Sequence, residues 1–271
     1  MRILGLQEIF QKEGKIIIGV VHLKPLPGSP LWDGDLDNVL RSALRDARAL
    51  EEGGVDGIIV ENYGDIPYPV RVRNPETIAA MTLIVKEIIN EVSIPVGINL
   101  LRNSAIEATG IAYVTGARFI RVNVFVETVA TDSGIIRPIA PELLRYIRRL
   151  DADMGIFADI RVKHGKTLGE RSLEDTIMDA FERGLASCVI LTGERTGQPP
   201  RKEDLVRAKE LEAGPILIGS GIRLENIELL RYADGAIVGT YFKKYGKTHN
   251  PVDKERVKIF MERLEESLKN I

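Results

Sequence analysis

Residues 215–242 read PILIGSGIRLENIELLRYADGAIVGTYF, in which two short apolar runs, each ending in glycine, flank a segment of helical period. Runs such as 215–219 and 235–239, which are apolar almost throughout, are typical of strands buried on both faces of a parallel sheet. The segment 223–232 between them has the amphipathic pattern of a helix. This stretch therefore predicts a strand–helix–strand unit of a parallel α/β sheet.

The same unit recurs along the whole chain. The candidate strands are 16–21, 55–61, 95–100, 118–124, 154–160, 187–192, 215–219 and 235–239. The candidate helices lie near 36–52, 75–91, 103–115, 141–150, 173–184, 201–212, 223–232 and 253–269. Eight such units close a barrel, so we predict an α/β fold consisting of a single (β/α)8 TIM barrel over residues 1–271. We expect residues 5–13 to form a short helix that closes the bottom of this barrel.

The composition excludes several classes of protein. The 271 residues are close to the roughly 250 that one such barrel uses. The chain has 37 Lys and Arg residues and 39 Asp and Glu residues, so its net charge of −2 supplies no positive field to attract nucleic acid. The sequence contains no run of about 18 apolar residues, so we predict no membrane-spanning helix. We expect a cytoplasmic protein, because the chain has a single cysteine and residues 1–15 contain no apolar secretory core. The composition, rich in charged residues and poor in glutamine, is typical of a thermophile.

Loop lengths indicate which face of the barrel carries the function. The connections from helix to strand are short, whereas several connections from strand to helix are long. These long connections are 22–35, 62–74, 124–140, 161–172 and 193–200. Long loops in a compact domain are commonly functional, and in this fold active sites lie at the carboxyl ends of the strands. We therefore expect the site there.

Two glycine turns follow the last two strands. Glycine lets backbone approach a ligand closely, and the helical turns that follow direct free N–H groups toward an anion. The alternative is that both are merely tight turns. Because the loops after strands seven and eight are a frequent phosphate site in this fold, we predict phosphate binding by Gly219, Ser220, Gly221, Gly239 and Thr240.

Polar side chains occupy strand ends where packing alone would require apolar ones. Residues two apart, such as Arg121 and Asn123, lie on one face of an extended strand. Buried charges need partners, so these residues pair with one another, as in Glu61 with Arg121 and Asp159 with Lys163, or bind a polar ligand. The two alternatives can coexist. The predicted substrate-binding residues are Asn62, Asn99, Arg102, Arg121 and Asn123.

The candidates for acid–base catalysis at the strand ends are His22, Glu61, Asp159 and Lys163, with His164, which lies on the other face of the strand, ranked below them. Lys163, near other cations, is a candidate base or Schiff-base nucleophile. His22 is equally compatible with a structural role. The sequence requires no cofactor, although Mg²⁺ held by Glu61 or Asp159 together with a substrate phosphate is compatible with it.

Motifs of several other enzyme classes are absent from the sequence. It contains no HExxH, no CxxC pair, no GxSxG and no GxxxxGK[ST], which argues against zincins, zinc ribbons, α/β-hydrolases and P-loop proteins. No GxGxxG follows a strand, so a dinucleotide cofactor is not expected, although the phosphate of a flavin can bind in glycine turns of this kind.

Several segments resemble one known family. They are GVVHLKPLPGSP at 19–30, GGVDGIIVENYGD at 53–65, PVGINLLRN at 95–103, FIRVNV at 119–124, TDSG at 131–134, ADIRVKH at 158–164 and GSG at 219–221. The chain resembles the BtpA/SgcQ family across nearly its whole length. The resemblance implies a ribulose-phosphate-binding barrel. The founding cyanobacterial member is linked to photosystem I biogenesis or stability, and other members are labelled sugar-operon proteins or nucleoside triphosphatases.

Three functions follow as expectations. The first is an enzyme acting on a small phosphorylated sugar or related metabolite by isomerase, aldolase or lyase chemistry. The second is a biogenesis or stability factor for a membrane or multi-subunit complex, with the barrel as a scaffold. The third is nucleotide binding or hydrolysis. We expect a homo-oligomer; the alternative for the amphipathic segment 253–269 is packing within its own barrel alone.

Overall fold

The computed structural model describes residues 1–162, 164–169, 171–193 and 197–269 of the chain. Its strands are β1 Arg2–Ile3, β2 Ile16–His22, β3 Gly57–Glu61, β4 Val96–Asn99, β5 Phe119–Val122, β6 Val129–Thr131, β7 Gly134–Ile136, β8 Asp153–Ile160, β9 Gly165–Thr167, β10 Cys188–Leu191, β11 Ile216–Ile218 and β12 Gly235–Val238. Its α-helices are α1 Leu6–Phe10, α2 Leu36–Glu52, α3 Pro75–Glu91, α4 Ala105–Thr115, α5 Ala140–Leu150, α6 Leu173–Glu182, α7 Lys202–Glu210 and α8 Lys254–Lys269.

Eight of the strands form a closed parallel barrel, as predicted. The order around the barrel is β2-β3-β4-β5-β8-β10-β11-β12, and β12 pairs again with β2. Helices lie between successive strands on the outside. The predicted (β/α)8 TIM barrel is confirmed.

Side chains alternate between the barrel interior and the surrounding helices. Ile59, Phe119 and Phe157 belong to the inner apolar cluster, whereas Ile58 and Ile120 pack in the outer cluster against the helices. Both faces of each strand are thus buried, which explains why the strands read as nearly continuous apolar runs. The alternation also fixes which residues at the strand ends face the barrel mouth.

The short helix α1 closes the bottom of the barrel, as expected from the sequence. Its Leu6, Ile9 and Phe10 are buried in the inner cluster. The Phe10 ring lies 5.7 Å from that of Phe119, which stacks on Phe157 with the ring centres 4.4 Å apart. This end of the barrel is therefore a packed apolar core.

The connection between β11 and β12 differs from the prediction. Residues Leu224–Tyr232 form 3₁₀ turns rather than the expected α-helix, and Asn226 has a non-helical φ of −137°. The Asn226 side chain accepts a hydrogen bond from the Arg223 amide and donates one to the Gly221 carbonyl. Such local side-chain bonds to the backbone compete with regular helix. Here they tie the segment to the first glycine turn.

A small antiparallel sheet, β7-β6-β9, lies beyond the carboxyl ends of the barrel strands. It is built from the long loops that follow β5 and β8, which were expected only as loops. Ser133, in the β6–β7 turn, donates a hydrogen bond to the Tyr68 carbonyl, so this sheet is joined to the loop that follows β3. No helix in the described ranges combines the length and apolar character needed to cross a bilayer.

Candidate functional site

A cavity of about 360 Å³ lies at the carboxyl ends of the barrel strands. It brings together most of the residues that the sequence singled out. Those that line it are His22, Glu61, Asn99, Arg102, Arg121, Asn123, Gly219, Ser220, Gly221, Gly239 and Thr240. The catalytic candidate Lys163 lies outside the described residues.

The polar residues reach the cavity because they continue the inward-facing series of each strand. Glu61 follows Ile59 by two positions, and Arg121 follows Phe119 by two, so each lies directly above a residue of the inner core. His22, Glu61 and Asn99 are also register partners on the neighbouring strands β2, β3 and β4. The inward-facing residues of β2, β3 and β4 therefore change from apolar to polar at the same height in the barrel.

Glu61 lies in this layer at the end of β3. It is 8% exposed, and its Oε2 accepts a hydrogen bond of 2.8 Å from Asn99 Nδ2. The carboxylate is thus held in one orientation at the cavity wall. A carboxylate fixed in this way is suited to accept or donate a proton at a bound ligand.

Arg121 and Asp159 form a fully buried ion pair next to Glu61. Arg121 Nη2 donates to Asp159 Oδ1 at 2.9 Å, and Asn123 Nδ2 donates to Asp159 Oδ2 at 2.6 Å. Burial acts to lower the pKa of Arg121, but the charges of Asp159 and Glu61 outweigh burial and the pKa is raised. The pairing differs from the sequence alternative of Glu61 with Arg121. Asp159 does not line the cavity itself. Its carboxylate accepts hydrogen bonds from Arg121 and Asn123, which do line it.

The glycine turns after β11 and β12 form the opposite wall. Several of their polar groups bond to the protein itself: the Gly219 amide donates to Leu191 O at 2.8 Å, the Ser220 hydroxyl donates to Gln198 O, and the Thr240 hydroxyl lies 2.9 Å from that of Thr248. The amides of Ser220, Gly221 and Gly239 donate no hydrogen bond to any acceptor in the described part of the chain. N–H groups without an acceptor in the protein are the kind of donor that binds anions in other proteins.

Side chains from the polar wall reach the glycine turns closely. A Cβ at Gly239 would lie 2.9 Å from His22 Cε1, and one at Gly219 would lie 2.5 Å from Thr192 Cγ2 and 3.5 Å from Arg121 Nη2. Only glycine fits at these positions without displacing a neighbour. His22 and Arg121 therefore lie beside the glycine turns.

Two of the predicted substrate-binding residues have other contacts. Arg102 lines the cavity, stacks 5.0 Å over the Tyr68 ring and donates to Asp132 at 2.9 Å. Asn62 is fully buried outside the cavity lining, where its Oδ1 accepts from the Leu101 amide and its Nδ2 donates to Asp65. Asn62 thus joins the loops that follow β3 and β4.

Sequence reasoning missed two tyrosines at this site. Tyr63 and Tyr68 line the cavity, and Tyr63 packs edge-on against His22 with the ring centres 4.8 Å apart. Burial raises the pKa of the Tyr68 phenol, and the negative charge of Glu61 raises it further. Their position in the long loop directly after Glu61 is the sequence signal that would have identified them.

The residues described by the structure contain no cluster of three or more His, Cys, Asp or Glu side chains arranged to hold a metal ion. Lys243, which follows the second glycine turn, points away from the cavity. It is 1% exposed and pairs with Asp46 at 2.8 Å. Burial lowers the pKa of Lys243, and the charge of Asp46 opposes this effect.

Comparison with known sequences gives matches over nearly the whole chain. A sequence profile of the BtpA family matches residues 13–266. The photosystem I biogenesis protein BtpA of Synechocystis sp. is 47% identical over 269 residues, which cover 98% of this chain and 93% of that protein. An uncharacterised protein of Thermococcus kodakarensis is 47% identical over 251 residues, 92% of this chain and 95% of that protein.

Solved structures of similar shape are barrel enzymes of low sequence identity. The 7,8-dihydropteroate synthase of Vibrio fischeri aligns with a TM-score of 0.61 at 14% identity, covering 100% of this chain and 99% of that one. The N-(5'-phosphoribosyl)anthranilate isomerase of Pyrococcus furiosus aligns with a TM-score of 0.56 at 16% identity, covering 93% of this chain and 99% of that one. At such identities the likeness concerns the fold alone.

Proposed function

The chain belongs to the BtpA family, and from that premise we propose that it is an enzyme acting on a small phosphorylated sugar or a related phosphorylated metabolite. The reaction is acid–base chemistry of the isomerase, aldolase or lyase type. The observation that carries the proposal is one cavity lined by two glycine turns with unbonded amides, a hydrogen-bonded carboxylate, an imidazole and a guanidinium.

The phosphate would bind at the turns after β11 and β12. The amides of Ser220, Gly221 and Gly239 donate to no described residue, and the glycines of the turns carry no Cβ that would shield the backbone from a ligand. Arg121 and His22 lie beside these turns and add positive charge or hydrogen-bond donors. A cavity of about 360 Å³ is within the usual size range of small-molecule sites.

Glu61 and His22 would carry out the proton transfers. In this proposal, Glu61 removes a proton from a carbon next to a carbonyl group, and the electron pair moves onto the carbonyl oxygen. We assign the stabilisation of this developing negative charge to Arg121, a buried cation that lines the cavity. Asp159 acts as a positioning residue, because it orients both Arg121 and Asn123.

Ligand binding tests the first half of the proposal. We expect ketose or aldose monophosphates of three to six carbons to raise the melting temperature, since a ligand at 100 times its Kd adds about 2.7 kcal/mol to the free energy of unfolding. Nucleotides such as ATP are the comparison arm for nucleotide binding or hydrolysis. A response to nucleotides alone would replace the sugar-phosphate proposal by that one.

Proton exchange tests the second half. The protein is incubated in D₂O with the ketose phosphate that raises its melting temperature. We expect NMR to show that deuterium replaces hydrogen on the carbon next to the carbonyl group. Because a general base contributes about 10²–10⁴-fold, Glu61→Gln should slow the exchange by that factor while retaining phosphate binding. Exchange at the wild-type rate in Glu61→Gln would contradict the assignment of Glu61.

The second candidate function is a biogenesis factor for a multi-subunit complex. It is favoured by the name of the Synechocystis relative, which is 47% identical to this chain. In this case the barrel is a scaffold, and no phosphate ester or nucleotide should change the melting temperature. Glu61→Gln would then leave complex assembly unaffected. We further propose that the protein is cytoplasmic and forms a homo-oligomer. Light scattering of the purified chain measures the oligomeric state directly.

A further inference from the structure

Two buried amide oxygens in the cavity lack a hydrogen-bond partner. Asn99 is 1% exposed and Asn123 is 7% exposed, and both line the cavity. The Oδ1 atom of each accepts no hydrogen bond from any described residue. Buried polar atoms are nearly always satisfied in proteins, so two orphan acceptors in one cavity indicate donors supplied by a ligand.

The orientation of both side chains is fixed by carboxylates. Asn99 Nδ2 donates to Glu61 Oε2 at 2.8 Å, and Asn123 Nδ2 donates to Asp159 Oδ2 at 2.6 Å. Rotating either amide by 180° would bring its carbonyl oxygen against a carboxylate oxygen, and both are acceptors. Each Oδ1 therefore points away from the carboxylate that its own Nδ2 contacts.

These acceptors lie across the barrel from the glycine turns. In the ring β2-β3-β4-β5-β8-β10-β11-β12, the Asn99 strand β4 is four places from β11, and β5, which precedes Asn123, is four places from β12. In an eight-stranded barrel, strands four places apart face each other. A ligand with its phosphate at the turns would extend its other end toward the two asparagines.

Building on the proposed function, we propose that the site selects polyol phosphates, in which hydroxyl groups remote from the phosphate donate hydrogen bonds to Asn99 Oδ1 and Asn123 Oδ1. A hydroxyl can donate to an amide oxygen, whereas a carboxylate or a second phosphate at this end would place acceptor against acceptor. The negative charge of Glu61, which is bonded to Asn99, adds to that discrimination. The hydroxyl-bearing end is thereby held next to the proposed general base.

A minimal pair of ligands tests this selectivity by calorimetry. sn-Glycerol 3-phosphate and propyl phosphate share the phosphate ester and the three-carbon chain and differ only in two hydroxyl groups. We expect glycerol phosphate to bind at least about tenfold more tightly, because the amide oxygens stay unsatisfied with propyl phosphate. Equal affinity of the wild-type protein for the two esters would overturn the proposal.

Variants assign the selectivity to the two asparagines. Asn99→Leu and Asn123→Leu should bring the affinity ratio of the two esters close to one, because neither leucine can accept a hydrogen bond. Asn103 offers a matched control: it is 5% exposed, and its amide is satisfied by Val124 N and Val124 O. Asn103→Leu should disturb packing to a similar extent while the ratio keeps its wild-type value. A ratio that survives in Asn99→Leu and Asn123→Leu would also overturn the proposal.

The same experiments separate this inference from the proposed function. If neither ester nor inorganic phosphate binds, the phosphate site fails, and ribitol is then compared with 1,5-pentanediol. A preference for ribitol that is lost in Asn123→Leu would sustain the polyol subsite. Absence of that preference would overturn it. Tighter binding of 3-phosphoglycerate than of glycerol phosphate would overturn it as well, since 3-phosphoglycerate has a carboxylate in place of the terminal hydroxymethyl group.

Discussion

The wall of the cavity at the ends of β3, β4 and β5 consists of polar side chains, whereas the wall at the ends of β11 and β12 consists largely of glycine backbone. On the polar wall, Glu61, Arg121 and Asn123 are buried and are held by bonds to Asn99 or Asp159. On the glycine wall, close approach depends on the absence of side chains. The first wall therefore fails when a side chain is removed, and the second fails when one is added.

The largest effect is expected from breaking the ion pair of the polar wall. Asp159→Leu leaves the Arg121 guanidinium buried without its counter-ion and Asn123 Nδ2 without its acceptor, so we expect a loss of about 3–5 kcal/mol in the free energy of unfolding. Urea denaturation measures this loss. The double variant Arg121→Met/Asp159→Leu should recover part of the loss, because the guanidinium is no longer buried without Asp159, whereas Asn123 Nδ2 still lacks its acceptor. A single-variant cost below about 1 kcal/mol would show that the pair is not the main support of this wall.

The glycine wall predicts the opposite sensitivity, to an added methyl group. Gly221 has φ +79°, and a Cβ there would lie 2.2 Å from the Pro199 backbone nitrogen. Gly116 also has a positive φ, +94°, but has open space around it. We expect Gly116→Ala to cost about 1 kcal/mol from backbone strain, and Gly221→Ala to cost about 1–3 kcal/mol more from overpacking.

Phosphate-ester affinity should fall in Gly221→Ala and not in Gly116→Ala, as measured by calorimetry beside the denaturation curves. Equal stability losses in the two variants would mean that the backbone of the loop at Pro199 moves aside readily. The close approach would then not be what restricts this wall to glycine.

A pH titration examines the buried phenol of the polar wall. Burial and Glu61 raise the pKa of Tyr68, so above about pH 10 the unfolded chain loses the phenol proton while the folded chain keeps it. The unfolded state then binds fewer protons, and the free energy of unfolding decreases as the pH rises. Relative to Tyr68→Phe, the wild type should lose up to about 1.4 kcal/mol per pH unit above pH 10. Parallel curves for the two proteins between pH 8 and pH 11 would contradict the raised pKa.

The smallest effect is expected at the rim of the polar wall. Arg102 Nη2 lies 2.9 Å from Asp132 Oδ1, but the Asp132 side chain is 62% exposed. Water and salt screen such a pair, so Asp132→Asn should change the free energy of unfolding by no more than about 0.5 kcal/mol. Denaturation at low and high salt measures it. A cost comparable to that of Asp159→Leu would remove the distinction between rim and buried pair.

The fold and the level of the site were predictable from local patterns. Apolar runs followed by glycine predicted the strands, and their number predicted the barrel. The spacing of Arg121 and Asn123 placed both on one strand face, and the structure has both lining the cavity. Asn62, which we predicted to bind substrate, lies outside the cavity lining beside Asp65, because the same alternation puts it on the face opposite to Glu61.

Other features depended on contacts between distant parts of the chain. Arg121 pairs with Asp159 across neighbouring strands, Tyr68 is held by the turn that contains Ser133, and Asn226 replaces helix by bonds to the first glycine turn. Strand periodicity specifies which face a residue occupies, but not which residue of another strand lies opposite to it.

The sequence by itself determined the eight repeated units, the polar change at the strand ends and the two glycine turns, because these follow from spacings of a few residues. Only the tertiary structure decided which charges pair, which amides remain available and how the loops meet over the mouth. The stagger of strands in a closed barrel and the joining of distant loops set these contacts, and both arise when the whole chain packs together.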